Sequence, residues 1–230
     1  MITLYHHAFC PHSRFVRLAL AEMGIEPKLV EERPWERRRD FLLMAAEGTT
    51  PVLLDDGAAA LPGAEVIAEY LDETRGLALG DRRLLPDNPA ARAETRRLMA
   101  WFNTKLFHEA SHWLVREKIY KRFMKPEQGG GGPDMDAVRA SRSNLRYHLR
   151  YVGHLIGSRN WLAGDRLTYA DLAAAAHLSC LDYLGDVQWN ENETARAWYA
   201  RVKSRPSFRP LLAERLPGAQ PSPTYANLDF

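Results

Sequence analysis

Every stretch of this chain that reads as a β-strand lies before residue 63, and none follows. Ile2–Tyr5, Lys28–Val30, Pro51–Leu54 and Ala59–Leu61 are short apolar runs bounded by turn residues, the last two joined across Asp56-Gly57. Between them lie helical patterns. Phe15, Leu18 and Ala19 recur at helical spacing before a stop at Gly24. Trp35 to Met44 predicts a charged helix with Phe41 and Leu42 on its apolar side, and Val66, Ile67, Tyr70 and Leu71 predict a third helix over 64–74. The order β-α-β-α-β-β-α specifies a two-layer α/β unit.

The rest reads as a helical bundle. Asn88-Pro89 opens a long helix with proline at its first position, and Leu98, Trp101, Phe102, Leu106, Trp113 and Leu114 form its expected buried stripe. Gly129–Pro133 is a flexible break before a second long helix over 134–157. Thr168-Tyr169-Ala170-Asp171 is a capping box that opens a very apolar helix. Two further helices are expected over 191–204 and 207–215, and a Pro-rich ending should be extended. The domain reading is 1–80 for the α/β unit, 86–215 for the helical domain and 216–230 for the tail. A chain of 230 residues has ample length for such cores.

A formal net charge of +2 is too small to argue for a nucleic-acid partner. Two cysteines, Cys10 and Cys180, make no disulfide framework and point to a reducing compartment. The opening MITLYHHAF lacks the pattern of a signal peptide, and no run approaches the roughly 20 apolar residues of a membrane span. The expected location is cytoplasmic. His108-Glu109-Ala110-Ser111-His112 spells HExxH, the zinc-protease pattern, but no third ligand is apparent and no metal site is expected there. The same holds for His6, His7 and His12.

Cys10 stands where the first strand meets the first helix, directly before Pro11. A thiol at a helix N-terminus has its thiolate stabilised by the helix dipole, and His12 could assist. Position 13 is Ser, so no second cysteine completes a dithiol pair.

This layout resembles the glutathione transferase superfamily, on the strength of CPHS at 10–13, Thr50-Pro51, GAEVIAEYL at 63–71 and GDRLTYAD at 164–171. The resemblance implies an α/β thioredoxin-like N-terminal domain followed by an all-α helical domain. It places Cys10 where that family keeps a catalytic Ser or Cys, Thr50-Pro51 at its cis-proline, and Gly63 and Ala64 at its Glu-Ser pair, which grips the glutamyl end of glutathione. Gly63 and Ala64 offer backbone donors only, and Glu65, one position late, is rotated about 100° around the helix. Losing one charge-assisted hydrogen bond costs roughly 1.5–3 kcal/mol, more than tenfold in affinity. The expectation is a vestigial glutathione site at Cys10, Thr50, Pro51, Gly63 and Ala64, no cofactor and no enzymatic activity. The alternative is a glutathione-dependent thiol transferase using Cys10, assisted by Ser13. A third reading is a binding protein for small hydrophobic ligands, its cleft lined by the helix over 172–184.

Further stretches, VEERPWERRRDFLL, WLAGDRLTYADLAAAA, YARVKSRPSFRPLLAER and YANLDF, are similar to a transferase-like family of division proteins in alphaproteobacteria. That resemblance implies a non-enzymatic homodimer at the division site that binds the tubulin-like protein FtsZ and influences filament curvature and constriction.

The sequence also offers surfaces for such a partner. Arg139, Arg142, Arg146 and Arg150 fall within about an 80° arc of one helix, a ridge suited to carboxylates. Arg116, Lys118, Lys121, Arg122 and Lys125 form a second basic cluster, with Glu117 among them. Tyr225 to Phe230 read as a short docking motif that packs on the protein's own helices or on a neighbouring chain. The candidate partner-binding residues are Trp35, as an aromatic anchor, Arg139 and Arg142 for carboxylates, Glu117 and Asp229 for orientation or pairing, and Phe230.

Overall fold

The computed structural model describes residues 1–228. Four strands, β1 (Ile2–His6), β2 (Lys28–Glu31), β3 (Val52–Asp55) and β4 (Leu61–Pro62), form one sheet in the order β2-β1-β3-β4. β1 runs parallel to β2, with Leu4 opposite Leu29, and antiparallel to β3, with Leu4 opposite Leu53. β4 returns antiparallel to β3. The parallel pair needs a crossover, and α1 (Pro11–Glu22) supplies it. Ile2, Leu4 and His6 are buried on one face of β1, while Thr3 and Tyr5 on the other are half-buried.

α1 and α3 (Ala64–Arg75) cover the first face, where Phe15, Leu18, Ile67 and Leu71 are buried with Leu4 and Leu53. The second face is thinner: α2 (Arg39–Met44) lays Phe41 and Ala45 on Val52, with Tyr5 beside them. The sheet is therefore covered on both sides, one layer more than the sequence reading.

The single helix expected from Trp35 to Met44 is broken. Pro34–Glu36 form a 3₁₀ turn, Arg37 takes a left-handed φ of 47°, and only then does α2 begin. Proline sets the first turn, and the charged run behind it offers no apolar stripe that could hold a longer helix on the sheet. Leu43 is 77% exposed.

The long helix opens as α4 (Pro89–Ala100), with the Asn88 side chain accepting from the Ala90 and Ala91 amides. It continues as a π-helical stretch, Trp101–Ser111, and ends as α5 (His112–Lys118). Bonding from i to i+5 adds about one residue per turn, so spacing counted at 3.6 drifts off the buried side. Trp113, expected in the stripe, is 42% exposed, and Trp101 is half-buried.

α6 (Met135–Ile156) and α7 (Tyr169–Tyr183) follow, then α8 (Glu193–Lys203) and the short α9 (Arg209–Ala213). Every residue of α7 is buried, which its mostly apolar make-up favours, and its few polar side chains find partners inside, such as Asp171 with Trp198 and His177 with Ser111. Its capping box forms as read: Asp171 accepts from the Thr168 amide at 3.0 Å and also from Leu162 N and Trp198 Nε1. α1 packs on α7 and so joins the sheet to the bundle.

The extended ending straps back onto the bundle. Tyr225 is fully buried, its hydroxyl donating to the Leu211 carbonyl and its ring set edge-on to Tyr183. Thr224 Oγ1 donates to Asp182 at 2.6 Å. Of the docking motif, Asp229 and Phe230 lie outside the described residues.

Candidate functional site

Where sheet and bundle meet, a cavity of about 640 Å³ opens between the N-terminus of α1, the β3 approach, the start of α3 and the segment from Asn103 to Met124. Cys10 stands at its wall. It is the residue before the first turn of α1, with Pro11 at the first helical position, and its Sγ donates to the Thr50 carbonyl at 3.4 Å. The Thr50-Pro51 peptide is cis.

His12 sets the chemistry of this thiol. Its Nε2 lies 2.8 Å from the Asn103 carbonyl, which can only accept, so Nε2 carries a proton and Nδ1 is left for Cys10. Burial pushes the Cys10 thiol up, but the hydrogen bond and charge of His12, with help from Ser13 and Thr50, outweigh it and bring the thiol down to about 7. Burial acts against the His12 cation too, yet the thiolate beside it holds its pKa above the usual value. Ser13 is buried and accepts from the His7 amide at 3.4 Å. Burial, with Arg17 beside His6 and Arg33 beside His7, pulls these two histidines down to about 3 and about 4, so both are neutral at physiological pH.

Gly63 adopts φ 92° and donates its amide to the Pro51 carbonyl at 3.1 Å. That backbone favours glycine. Gly63, Ala64 and Glu65 all border the cavity. Glu65 is thus on the cavity wall, not turned away from it as the helical rotation suggested.

Trp35 is half-buried at the cavity's rim, its ring 5.0 Å from Tyr120 and 5.4 Å from His7. It belongs to an internal aromatic group rather than standing out from the surface. Glu117, expected to serve orientation or partner pairing, is 3% exposed. It holds Lys121 and accepts from the Asp134 amide at 2.8 Å, which ties α5 to the start of α6. A carboxylate so engaged orients its own helices and presents nothing outward.

The arginine ridge lies on the exposed side of α6, partly committed to its own acids. Arg139 pairs with Asp136, and Arg146 with Glu191 at 3.2 Å. Arg142 holds Asp186 at 2.6 Å, a buried carboxylate that also takes Lys118 at 2.7 Å. The second cluster is divided likewise, with Lys121 on Glu117 and Arg122 on the Gly218 carbonyl. In the HExxH stretch, Glu109 turns to Lys105 and His148, while the His112 ring packs on Phe107 and Trp113. Among the described residues, no group of three or more His, Cys, Asp or Glu could hold a metal ion. No described helix is long and apolar enough to cross a membrane.

Asn103, Phe107, Arg116, Tyr120 and Met124 border the cavity without having been singled out for it. Their only sequence signal was helical spacing opposite the buried stripe, which a solvent face shares.

Known proteins place this architecture. The glutathione S-transferase N-terminal domain family matches residues 9–74, and the C-terminal domain family matches residues 115–215. FtsZ-localized protein A of Caulobacter vibrioides is 42% identical over 99% of this chain and 98% of its own length. The solved structure of FzlA from C. crescentus superposes with a TM-score of 0.91 at 41% identity, covering 100% of this chain and 99% of its own. A crystal structure of a glutathione S-transferase from Sinorhizobium meliloti 1021 does so with a TM-score of 0.98 at 57% identity, over 100% of both chains. With a thioredoxin-like sheet unit, an all-helical second part and full-length similarity of this order, the chain belongs to the glutathione S-transferase family, in the branch that holds FtsZ-localized protein A.

Proposed function

We propose that this protein is a non-enzymatic regulator of bacterial division that binds FtsZ filaments and influences their curvature and constriction, acting as a cytoplasmic homodimer at the division site. The observation that carries the reading is the 42% identity to FtsZ-localized protein A along 99% of the chain. The missing grip at Gly63 and Ala64 supports it from the chemical side, since no side chain there can hold a glutamyl carboxylate or amine. No cofactor belongs to this reading.

The exposed guanidinium groups of α6 suit an acidic filament, because basic patches steer encounter with acidic polymers. Arg139 is the better contact, being 65% exposed and held only by Asp136, which is itself on the surface. Arg142 keeps a hand on buried Asp186, so it would contact a filament with part of its fork committed. Asp229 and Phe230 are proposed as further partner contacts, with Trp35 entering only through the shape of the cleft rim. Arg139→Glu should lower co-sedimentation with FtsZ filaments and leave the thermal midpoint unchanged. Unchanged co-sedimentation would remove the α6 ridge from the reading.

A second reading is favoured by the lowered Cys10 thiol: a glutathione-dependent thiol transferase in which the Cys10 thiolate attacks a glutathione-containing disulfide, forming the Cys10–glutathione mixed disulfide and releasing the other sulfur as thiol, until a second glutathione thiolate regenerates Cys10 and leaves as oxidised glutathione; Ser13 holds the thiolate and Thr50 and Pro51 the peptide backbone. Turnover with glutathione that is lost in Cys10→Ser would support this reading against the first.

A further inference from the structure

The last described stretch of the chain lies on the bundle with little apolar grip. Of residues 216–228, only Leu216 and Tyr225 are buried. They form no helix or strand, only an isolated bridge from Leu216 to Ala219. Polar bonds to α7 hold much of the stretch. The Leu216 amide donates to the Tyr183 hydroxyl at 2.7 Å, and the Ser222 amide to the Tyr183 carbonyl at 2.9 Å. Segments with few buried contacts open at lower cost than the core they cover.

Beneath this stretch lies an ion pair. Lys203 of α8 is 1% exposed and Asp182 of α7 is fully buried. Thr224 closes over both: its carbonyl accepts from Lys203 Nζ at 2.6 Å, and its hydroxyl donates to Asp182 Oδ1 at 2.6 Å. Trp189 Nε1 donates to the same oxygen at 3.0 Å. Asp182 Oδ2, 3.6 Å from Lys203 Nζ, has no hydrogen-bond partner among the described residues. A buried pair with an open acceptor does not recover the desolvation of its charges.

We propose that residues 216–228 form a releasable arm, which lifts off as a unit while the bundle stays folded, and that the buried Lys203 ammonium sets how often it lifts. Lifting frees Tyr225 for contact with a partner. The device goes beyond the filament reading and holds with or without it.

The sign with pH distinguishes two roles for Lys203. If its charge were the latch, neutralising it would loosen the arm. Burial opposes the charge instead and brings Lys203 down to about 8, against the pull of Asp182. A neutral amine keeps an N–H for the Thr224 carbonyl, so deprotonation removes the cost of the charge and spares the bond. With the arm lifted, Lys203 meets water and returns toward the ordinary lysine value near 10.4. The lifted state then binds more protons from about pH 8 upward, and lifting becomes rarer as pH rises. Burial pushes Tyr199 of α8 well above its usual value, and Cys180 of α7 and Tyr225 of the arm up to about 12, so all three stay neutral over this range. Arg14 of α1, held by Glu214, stays a cation.

The test is hydrogen exchange on the full chain at pH 7, 8 and 9, each rate divided by that of the unstructured peptide at the same pH. The Leu216 and Ser222 amides should open at least about a hundredfold more often than the amides of α7. Their opening should fall about tenfold from pH 7 to pH 9. Lys203→Met has no charge to lose and should show no such fall. Exchange of the arm and α7 at one rate, or opening that stays level or rises with pH, would overturn the proposal, and both are read on the parent protein alone. A parent-like fall in Lys203→Met would overturn it as well.

Discussion

Arg14 is a fully buried cation, and each of its three guanidinium nitrogens donates a hydrogen bond. It donates to the Ala8 carbonyl at 2.8 Å, Ser179 Oγ at 2.8 Å and Glu214 at 2.9 Å, and its guanidinium lies 4.5 Å from the centre of the Phe9 ring. It thus ties the loop before Cys10 to α7 and to the chain after α9. Arg14→Ala leaves Glu214 with Arg17 alone and opens a hole beside Phe9. Breaking a buried pair by removing one partner costs about 3–5 kcal/mol, and a drop of that size in urea-unfolding free energy is expected. A loss under about 1 kcal/mol would mean that the network carries little of the fold.

Glu94 shows the same logic at a more open site. Hydrogen bonds from Arg97 lower its pKa, burial opposes them, and Arg159 adds to them at 2.7 Å, leaving the carboxyl at about 2. Its folded pKa is therefore depressed below the ordinary carboxylate value near 4.3. The stability it contributes is complete above that value and is lost as pH falls toward about 2. Glu94→Gln should lower the urea midpoint at pH 6 and flatten its dependence between about pH 4.5 and 2. An identical pH slope in both proteins would show that the α4-to-Arg159 link is broken in solution.

At the scale of elements, the start of α3 decides what the cleft can hold. Ala64→Ser restores a hydroxyl beside the helix N-terminus, and retention on glutathione resin should rise by up to about tenfold. Gly63→Glu is different: an added Cβ meets nothing within 4 Å, but φ at this residue is 92°. The cost is backbone strain of about 1–3 kcal/mol, to be read as a lower thermal midpoint. A parent-like midpoint in Gly63→Glu would show that the loop relaxes.

Some elements were legible and some were not, for identifiable reasons. The Thr168–Asp171 cap could be read because its hydrogen bonds join residues three apart. α7 could be read because a helix apolar on all sides has only the interior to occupy. The break at Arg37 could not, because its charged sequence suits a helix locally and the missing apolar stripe shows only against the sheet. Trp113 was misread because a 3.6-residue period was carried through a π-helical stretch. For Glu117 the sequence left orientation and pairing open, because a charge among charges looks solvated until Lys121 and the Asp134 amide close over it.

On the scale of the molecule, the order of elements was enough to give the architecture, since four strands early and helices afterwards leave few arrangements. The cavity was only half legible. Cys10, Thr50, Pro51, Gly63 and Ala64 were identified through a resemblance carried by short motifs, and all five border it. Asn103 comes from the π-helical stretch and Tyr120 and Met124 from the turns after α5, brought in by packing of the bundle on α1 that no local pattern reveals. The chain thus joins a cleft bordered by Cys10, Thr50, Pro51, Gly63 and Ala64 to an arginine ridge on the exposed side of α6.

The most direct measurement is co-pelleting of the full chain with FtsZ filaments assembled with GTP, with retention on glutathione resin followed in parallel. Saturable pelleting without resin retention is the result expected of a filament-binding protein on a transferase scaffold. Retention on resin without pelleting would contradict it and make glutathione chemistry at Cys10 the function.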